Sequence, residues 1–182
     1  MAGECSSSSI DLAPFFRGPS QTFACPCMLL TSTKIREANN ATACTLGEPI
    51  RCGDVTRLTH VKTNKNLHSH GIEAPLTRFN FEVSGFGGDD GRGDAGDNWR
   101  IDCLRRKGAE SQEFWKSDSL VRFNHVDTER WLSSSTKTKF HQTNCPNCPI
   151  VGDLEVSAAH GQSDAIFHGS IFRADDGAYL RL

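Results

Sequence analysis

The chain has 182 residues and a formal net charge of −2, with 37% hydrophobic and 23% charged residues. That length supports one domain with a core of its own, and a near-neutral balance without a basic stripe excludes a protein that tracks nucleic-acid phosphates. The densest basic run, Arg105-Arg106-Lys107, is followed by Gly and Glu and reads as a solvated turn, and the most apolar stretch, Phe23 to Leu30, is too short for a membrane-spanning helix.

Residues 1–32 differ in character from the rest of the chain. Four consecutive serines (Ser6 to Ser9), three of the seven prolines and Cys25-Pro26-Cys27 give no period, so this segment is expected to be poorly ordered or foreign to the fold. It shows neither the basic n-region nor the apolar h-region of a secretory signal, and the C-terminal Tyr179-Leu180-Arg181-Leu182 carries no HDEL-like retention signal. The eight cysteines, at 5, 25, 27, 44, 52, 103, 145 and 148, pull the other way. Such a count points to an oxidising compartment or a metal site.

From Ile50 onward, short strand-like runs alternate with turn residues. Val55 to Val61 alternates in polarity, Thr63 to Asn66 reads as a turn, and Leu67-His68-Ser69-His70 restarts a strand. Gly85 to Gly96 is a Gly- and Asp-rich loop, and Asn98 to Cys103 is a further strand. No window holds a convincing 3.6-residue period, so an all-β fold with little helix is expected.

The chain repeats itself. Val55–Ser69 aligns with Leu120–Ser134 at an offset of 65, matching Arg57 with Arg122, His60 with His125, Val61 with Val126, Thr63 with Thr128, Leu67 with Leu132 and Ser69 with Ser134. Further on the offset is 73, where Glu82-Val83-Ser84 meets Glu155-Val156-Ser157 and Trp99-Arg100 meets Phe172-Arg173. The eight extra residues therefore lie between Ser134 and Glu155, in a loop that contains Cys145-Pro146-Asn147-Cys148. A four-strand unit recurring at this period suits a β-trefoil better than a sandwich, which lacks internal self-similarity, or a propeller, whose period is shorter. A trefoil takes three such units, because each buries its apolar face only against the others.

Pro49 to Gly53, Arg57-Leu58-Thr59-His60-Val61, Asn66-Leu67-His68-Ser69-His70, Glu82-Val83-Ser84, Asp97-Asn98-Trp99-Arg100, Val121 to His125 and Glu155-Val156-Ser157 resemble the stromal cell-derived factor 2 family, from about Lys34 to Ala174. The resemblance implies a β-trefoil built from three MIR repeats. Here Lys34-Ile35-Arg36 through Ala43-Cys44 looks like the last strand of the first repeat, without the three strands that should precede it. The expected boundaries are an atypical segment 1–32 and a MIR domain 33–182. Within that domain 33–49 is what remains of repeat 1, 50–110 is repeat 2 and 111–182 is repeat 3. With repeat 1 incomplete, edges of the other two are expected to be unpaired, and Leu58, Phe123 and Leu132 to lose part of their packing. The resemblance also implies a lumenal protein of the endoplasmic reticulum that works with a J-domain co-chaperone and BiP to keep unfolded clients soluble. The alternative is a carbohydrate-binding module like the MIR domain of protein O-mannosyltransferases, with Trp131 and Phe79 or Phe81 as an aromatic platform.

His60 and His125 occupy matched positions, as do Trp99 and Phe172. Recurrence favours structural roles for them, since a site does not need two copies. His68-Ser69-His70 is unit-specific, because its counterpart is Ser133-Ser134-Ser135. Its two histidines share one strand face and could bind a metal, present polar edges to a sugar or peptide, or bond structurally. With no third ligand evident nearby, no metal is expected, and His68, Ser69, His70 and Trp131 are the candidate ligand or partner surface. Cys145 and Cys148 could be redox-active, half a zinc site or a loop-closing disulfide, and the inserted loop without a following helix favours the last. Cys44 and Cys52 stand eight apart around a turn and could reach disulfide distance; Cys103 is read as the match of Cys44 in repeat position, and the resemblance allows its partner to lie in the missing repeat, so that Cys103 is expected to stand unpaired here. The Asp89–Asp97 run has the composition of a calcium loop without its spacing, and Arg92-Gly93-Asp94 is too short a motif to carry weight. No nucleophile elbow, P-loop, zinc-protease or dinucleotide motif occurs, so neither catalysis nor a cofactor is expected.

Overall fold

A computed structural model describes residues 49–104, 112–116, 119–161 and 163–173, together with the backbone of the strands at 7–9, 33–37 and 176–178. Apart from 7–9, the atypical segment 1–32 lies outside the described residues, as does Cys44. In chain order the strands are β1 (Ser7–Ser9), β2 (Thr33–Glu37), β3 (Val55–His60), β4 (Asn66–Glu73), β5 (Phe81–Phe86), β6 (Trp99–Cys103), β7 (Leu120–His125), β8 (Trp131–Lys139), β9 (Leu154–Ala159), β10 (Phe172–Arg173) and β11 (Asp176–Ala178). The helical pieces among the described residues are a 3-10 turn, Ala95–Asp97, and one short helix, α1 (Asp164–Gly169).

The fold is all-β. Seven strands form a ring in the order β7-β6-β3-β4-β5-β9-β8, closed where Asn124 of β7 faces Trp131 of β8. β2 flanks β3, β10 flanks β7, and β1 pairs with β11 in a separate two-stranded sheet. The expected loss of packing does not occur. Leu58, Phe123 and Leu132 are each 0% exposed, because the ring closes on itself and brings them against Leu67, Trp99, Ile101, Val121, Ala158 and Phe172. Alternating side chains put one face of each strand into this core, so Leu58 and Phe123, matched in the sequence, occupy matched places in it.

Local chemistry explains the matched turns. Asn64 and Glu129 both adopt left-handed backbone, φ 52° and 53°, at the tip of the β3–β4 and β7–β8 turns. Asn tolerates that conformation and Glu does so less readily. In each turn the amide of the left-handed residue donates to the carbonyl of His60 or His125 at 2.9 Å, and the imidazole Nδ1 of the same histidine bonds Thr63 or Thr128 Oγ1 at 2.8 Å. The β4 and β8 strands break register at the same matched residue, Ser69 and Ser134.

Two expectations about cysteine are corrected. Cys52 bonds Cys103, with Cα atoms 5.5 Å apart, and not Cys44; Cys103 is therefore not left without a partner. Spacing along the chain was the wrong guide. β3 runs antiparallel to β6, so residues preceding β3 lie beside the end of β6, as the Gly53 amide donating to the Ile101 carbonyl at 2.7 Å shows. Nor is Cys103 matched with Cys44. β2 lies on β3 as β6 lies on β7, with Thr33 opposite His60 and Trp99 opposite His125, so the ladder places Glu37 where Cys103 stands. Cys145 and Cys148 are disulfide-bonded to each other within the loop between β8 and β9.

Candidate functional site

The polar cluster of the molecule is built on β4 and the 3-10 turn. Asn66 and His68 point from β4 towards the turn, and both are buried. The turn presents Asp97, a carboxylate with no exposed surface. It accepts from the Asp94 amide at 2.9 Å, from Asn66 Nδ2 at 3.1 Å and from His68 Nδ1 at 2.9 Å. Asp94 caps the turn by accepting from the Gly96 amide at 2.9 Å, and its carboxylate lies 3.5 Å from His68 Nδ1. His68 Nε2 in turn meets His70 Nδ1 at 3.0 Å, and the Phe86 ring lies over the His68 ring at 4.5 Å.

Asp97, His68 and His70 form a connected row of hydrogen-bonding groups, and His70 Nε2, at its far end, is buried with no partner among the described residues. The expectation that no third ligand stands near the histidine pair is corrected by this geometry. His68, Asp94 and Asp97 bring three potential metal-ligating atoms within 4.8 Å, from a loop 26 residues and more further along the chain. Each of those atoms is also engaged in the hydrogen bonds or the ion pair above.

The other sequence candidates fall elsewhere. Ser69 is buried and donates to the Glu82 carbonyl at 2.8 Å. Trp131 stands on β8, with β5 and β9 between its strand and β4, so it does not join the histidines. It stacks instead against the Arg122 guanidinium at 3.7 Å, with Phe167 of α1 on that cation's other contact at 4.9 Å, and Arg122 Nε donates to Ser170 Oγ at 2.8 Å. Burial pulls the Arg122 guanidinium below its ordinary value, and Asp102 opposes the shift. His60 and His125 bond their own turns, and His125 Nε2 also donates to the Gly96 carbonyl at 2.9 Å. Trp99 is wholly buried and donates from Nε1 to the Leu67 carbonyl at 2.9 Å, while Phe172 packs on Phe123.

Two matched features have roles that the sequence reading did not assign. A side-chain carbon added at Gly96 would fall on the His68 ring and 2.8 Å from the Ser69 carbonyl. One added at Gly169 would fall on the Ser134 carbonyl and 2.9 Å from Ser133 Oγ. These glycines sit at the same 73-residue offset as Glu82 and Glu155, which is the signal that could have found them. The second is Glu155 itself. It is buried, and its carboxylate accepts from the Leu76 amide at 2.6 Å, the Thr77 amide at 3.3 Å and the Thr77 hydroxyl at 2.6 Å.

Comparison with known proteins agrees with this architecture. The MIR domain profile matches residues 34–146, which makes the chain a MIR-domain protein. Bovine stromal cell-derived factor 2 is 47% identical over 78% of this chain and 57% of its own length. The crystal structure of the SDF2-like protein from Arabidopsis thaliana superposes with a TM-score of 0.64 at 32% identity, over 84% of this chain and 74% of that one. The chain therefore belongs to the stromal cell-derived factor 2 family, and it spans about half the length of the curated relatives it matches. A structure of the Saccharomyces cerevisiae protein O-mannosyltransferase Pmt1-Pmt2 complex bound to the sugar donor superposes with a TM-score of 0.64 at 22% identity, over 82% of this chain and 19% of that one, a likeness of fold alone. Among the described residues no helix is long and apolar enough to cross a membrane.

Proposed function

We propose that this chain is a non-catalytic component of protein quality control in the endoplasmic reticulum lumen, acting with a J-domain co-chaperone and BiP to keep unfolded polypeptides soluble. Family membership, at 47% identity to bovine stromal cell-derived factor 2, carries the reading. The chemistry of the site supports it. The most polar cluster spends its groups on one another, Asp97 on His68 and His68 on His70, and that arrangement braces a loop rather than activating a nucleophile. The Cys52–Cys103 bond suits an oxidising lumen. The two matched four-strand units, β3–β6 and β7–β10, we read as two lobes of a β-trefoil, with β2 as the closing strand of another. The corresponding boundaries are 33–49, 50–110 and 111–182.

The test is copurification of the chain with a J-domain co-chaperone and BiP, followed by light scattering from a heat-unfolding reporter protein. The reading predicts a stable complex and suppressed scattering; neither appearing would refute it. One observation favours a second reading as a carbohydrate-binding module. Phe79 is 91% exposed at the tip of the β4–β5 connection, beside Arg130, which donates to its carbonyl at 2.8 Å. Glycan binding lost on Phe79→Ala would decide for that reading.

A further inference from the structure

The two matched units surround the same arginine differently. Arg57 of β3 and Arg122 of β7 each precede a core residue, Leu58 or Phe123, so both side chains leave their strands on the face turned away from the core. In the first unit the segment before the next strand supplies acceptors. Arg57 Nε donates to Asn98 Oδ1 at 3.0 Å and Nη2 donates to the Asp94 carbonyl at 2.9 Å. The same segment carries the buried carboxylate of Asp97. At the 73-residue offset Asp94, Asp97 and Asn98 are replaced by Phe167, Ser170 and Ile171, and at the 65-residue offset Asn66 is replaced by Trp131. The second unit keeps the arginine and loses every carboxylate and amide side chain at these four places.

Arg122 Nε donates to Ser170 Oγ at 2.8 Å. The Phe167 carbonyl, which matches the acceptor that Arg57 Nη2 uses, is taken instead by the Ser170 amide at 3.2 Å and the Ser170 hydroxyl at 2.9 Å. Arg122 Nη2 is left buried with no acceptor among the described residues, in a residue only 6% exposed. Asp102 stands opposite on β6 without an ion pair to it. Burying a charge without a partner is costly, so buried guanidinium groups are ordinarily met by an acceptor. All the groups around this one belong to the second unit and to the strand beside it. Its cover is Phe167, 4.9 Å away on a helix of six residues and itself 36% exposed.

We propose that Arg122 anchors a carboxylate-binding site, in which Phe167 turns outward and one oxygen of the ligand accepts from Nη2. The class of ligand follows from the surroundings. A negative charge is what the matched segment of the first unit has and this one lacks. The Trp131 ring lies 3.7 Å over the guanidinium. A planar carboxylate fits in the plane of the guanidinium beside that ring, whereas a tetrahedral phosphate or sulfate would press an oxygen against it. Ser170 already holds Nε, so the contact is a single charge-assisted bond and not a two-pronged pair, and affinity for a small carboxylate falls in the millimolar range. The site stands apart from the histidine cluster and does not depend on the chaperone reading.

The probe is sodium acetate, titrated at constant ionic strength into the full 182-residue protein, with sodium sulfate as the parallel arm. The indole N–H resonance of Trp131 and the Nε–H resonance of Arg122 report on the site. Acetate should shift both in a saturable way, and sulfate should not. Phe167→Ala should tighten acetate binding about threefold or more, because the closed cover lowers the fraction of molecules ready to bind. Ser170→Asp restores the carboxylate that Asp97 places in the first unit, so it should abolish the saturable shift while the amide spectrum of the folded chain persists. Arg122→Gln should abolish it as well. A capped Gly-Glu-Gly peptide, titrated in the same way, identifies the source of the carboxylate: tighter binding than acetate marks an acidic side chain of a polypeptide, and weaker binding marks a free acid. No saturable acetate shift, equal shifts with sulfate, or acetate binding that survives S170D overturns the proposal.

Discussion

At the residue scale, the molecule depends on a few close approaches that repeat between its two units. Gly96 and Gly169 lie against β4 and β8 with no room for a side chain, so Gly96→Ala and Gly169→Ala should each cost about 1–3 kcal/mol, the usual cost of overpacking, measured by urea unfolding. His125 makes a second test. Burial holds its imidazolium below the ordinary histidine value; the Gly96 carbonyl and Asp127 oppose, His68 adds to the shift, and Asp97 opposes. Because its folded pKa is depressed, the unfolded chain binds that proton more tightly. The stability it supplies is complete above about pH 6.5 and is lost as the pH falls through the folded value. The midpoint of thermal unfolding should therefore drop between pH 7 and pH 5.5, with a shallower slope for His125→Asn; equal slopes would remove His125 from the account. The histidine-threonine turns were legible in the sequence because their partners are three residues apart. The bond from His68 to Asp97 was not, because 29 residues separate them and only the packing of the 3-10 turn on β4 brings them together.

At the element scale, matched strands do different work according to what lies beside them. Glu82 and Glu155 were legible as a repeated pair, but the sequence does not say which of two identical strand edges is filled. The structure separates them, one carboxylate buried on three donors and the other half-buried with none among the described residues. Glu155→Ala leaves the Leu76 and Thr77 donors without an acceptor and should cost about 2–3 kcal/mol, with faster amide exchange at both residues. Glu82→Ala should change stability by no more than about 0.5 kcal/mol. Equal costs for the two substitutions would contradict the contrast between the strands.

At the scale of the whole molecule, seven strands of two matched units close a ring around a shared core, with β10 flanking it, and the Cys52–Cys103 bond ties the entry of one unit to its last strand. That bond closes a 51-residue separation, against three for Cys145–Cys148. Chain-entropy arguments give about 4 kcal/mol for the first and about 2 kcal/mol for the second, so Cys103→Ser should lower the unfolding midpoint more than Cys148→Ser. The all-β class and the repeat were legible because strand periodicity is a local property. The cysteine pairing and the closure of the ring were not, because both depend on which strands lie side by side. The most direct test of the central claim, that two matched units close one ring around a shared core, is hydrogen–deuterium exchange on the full chain. The account predicts slow exchange at Leu120–His125 and Trp131–Ser134, the strands that close the ring, to the same degree as at Val55–His60. Rapid exchange confined to Leu120–His125 and Trp131–Ser134 would contradict it, because the ring would then stand open there.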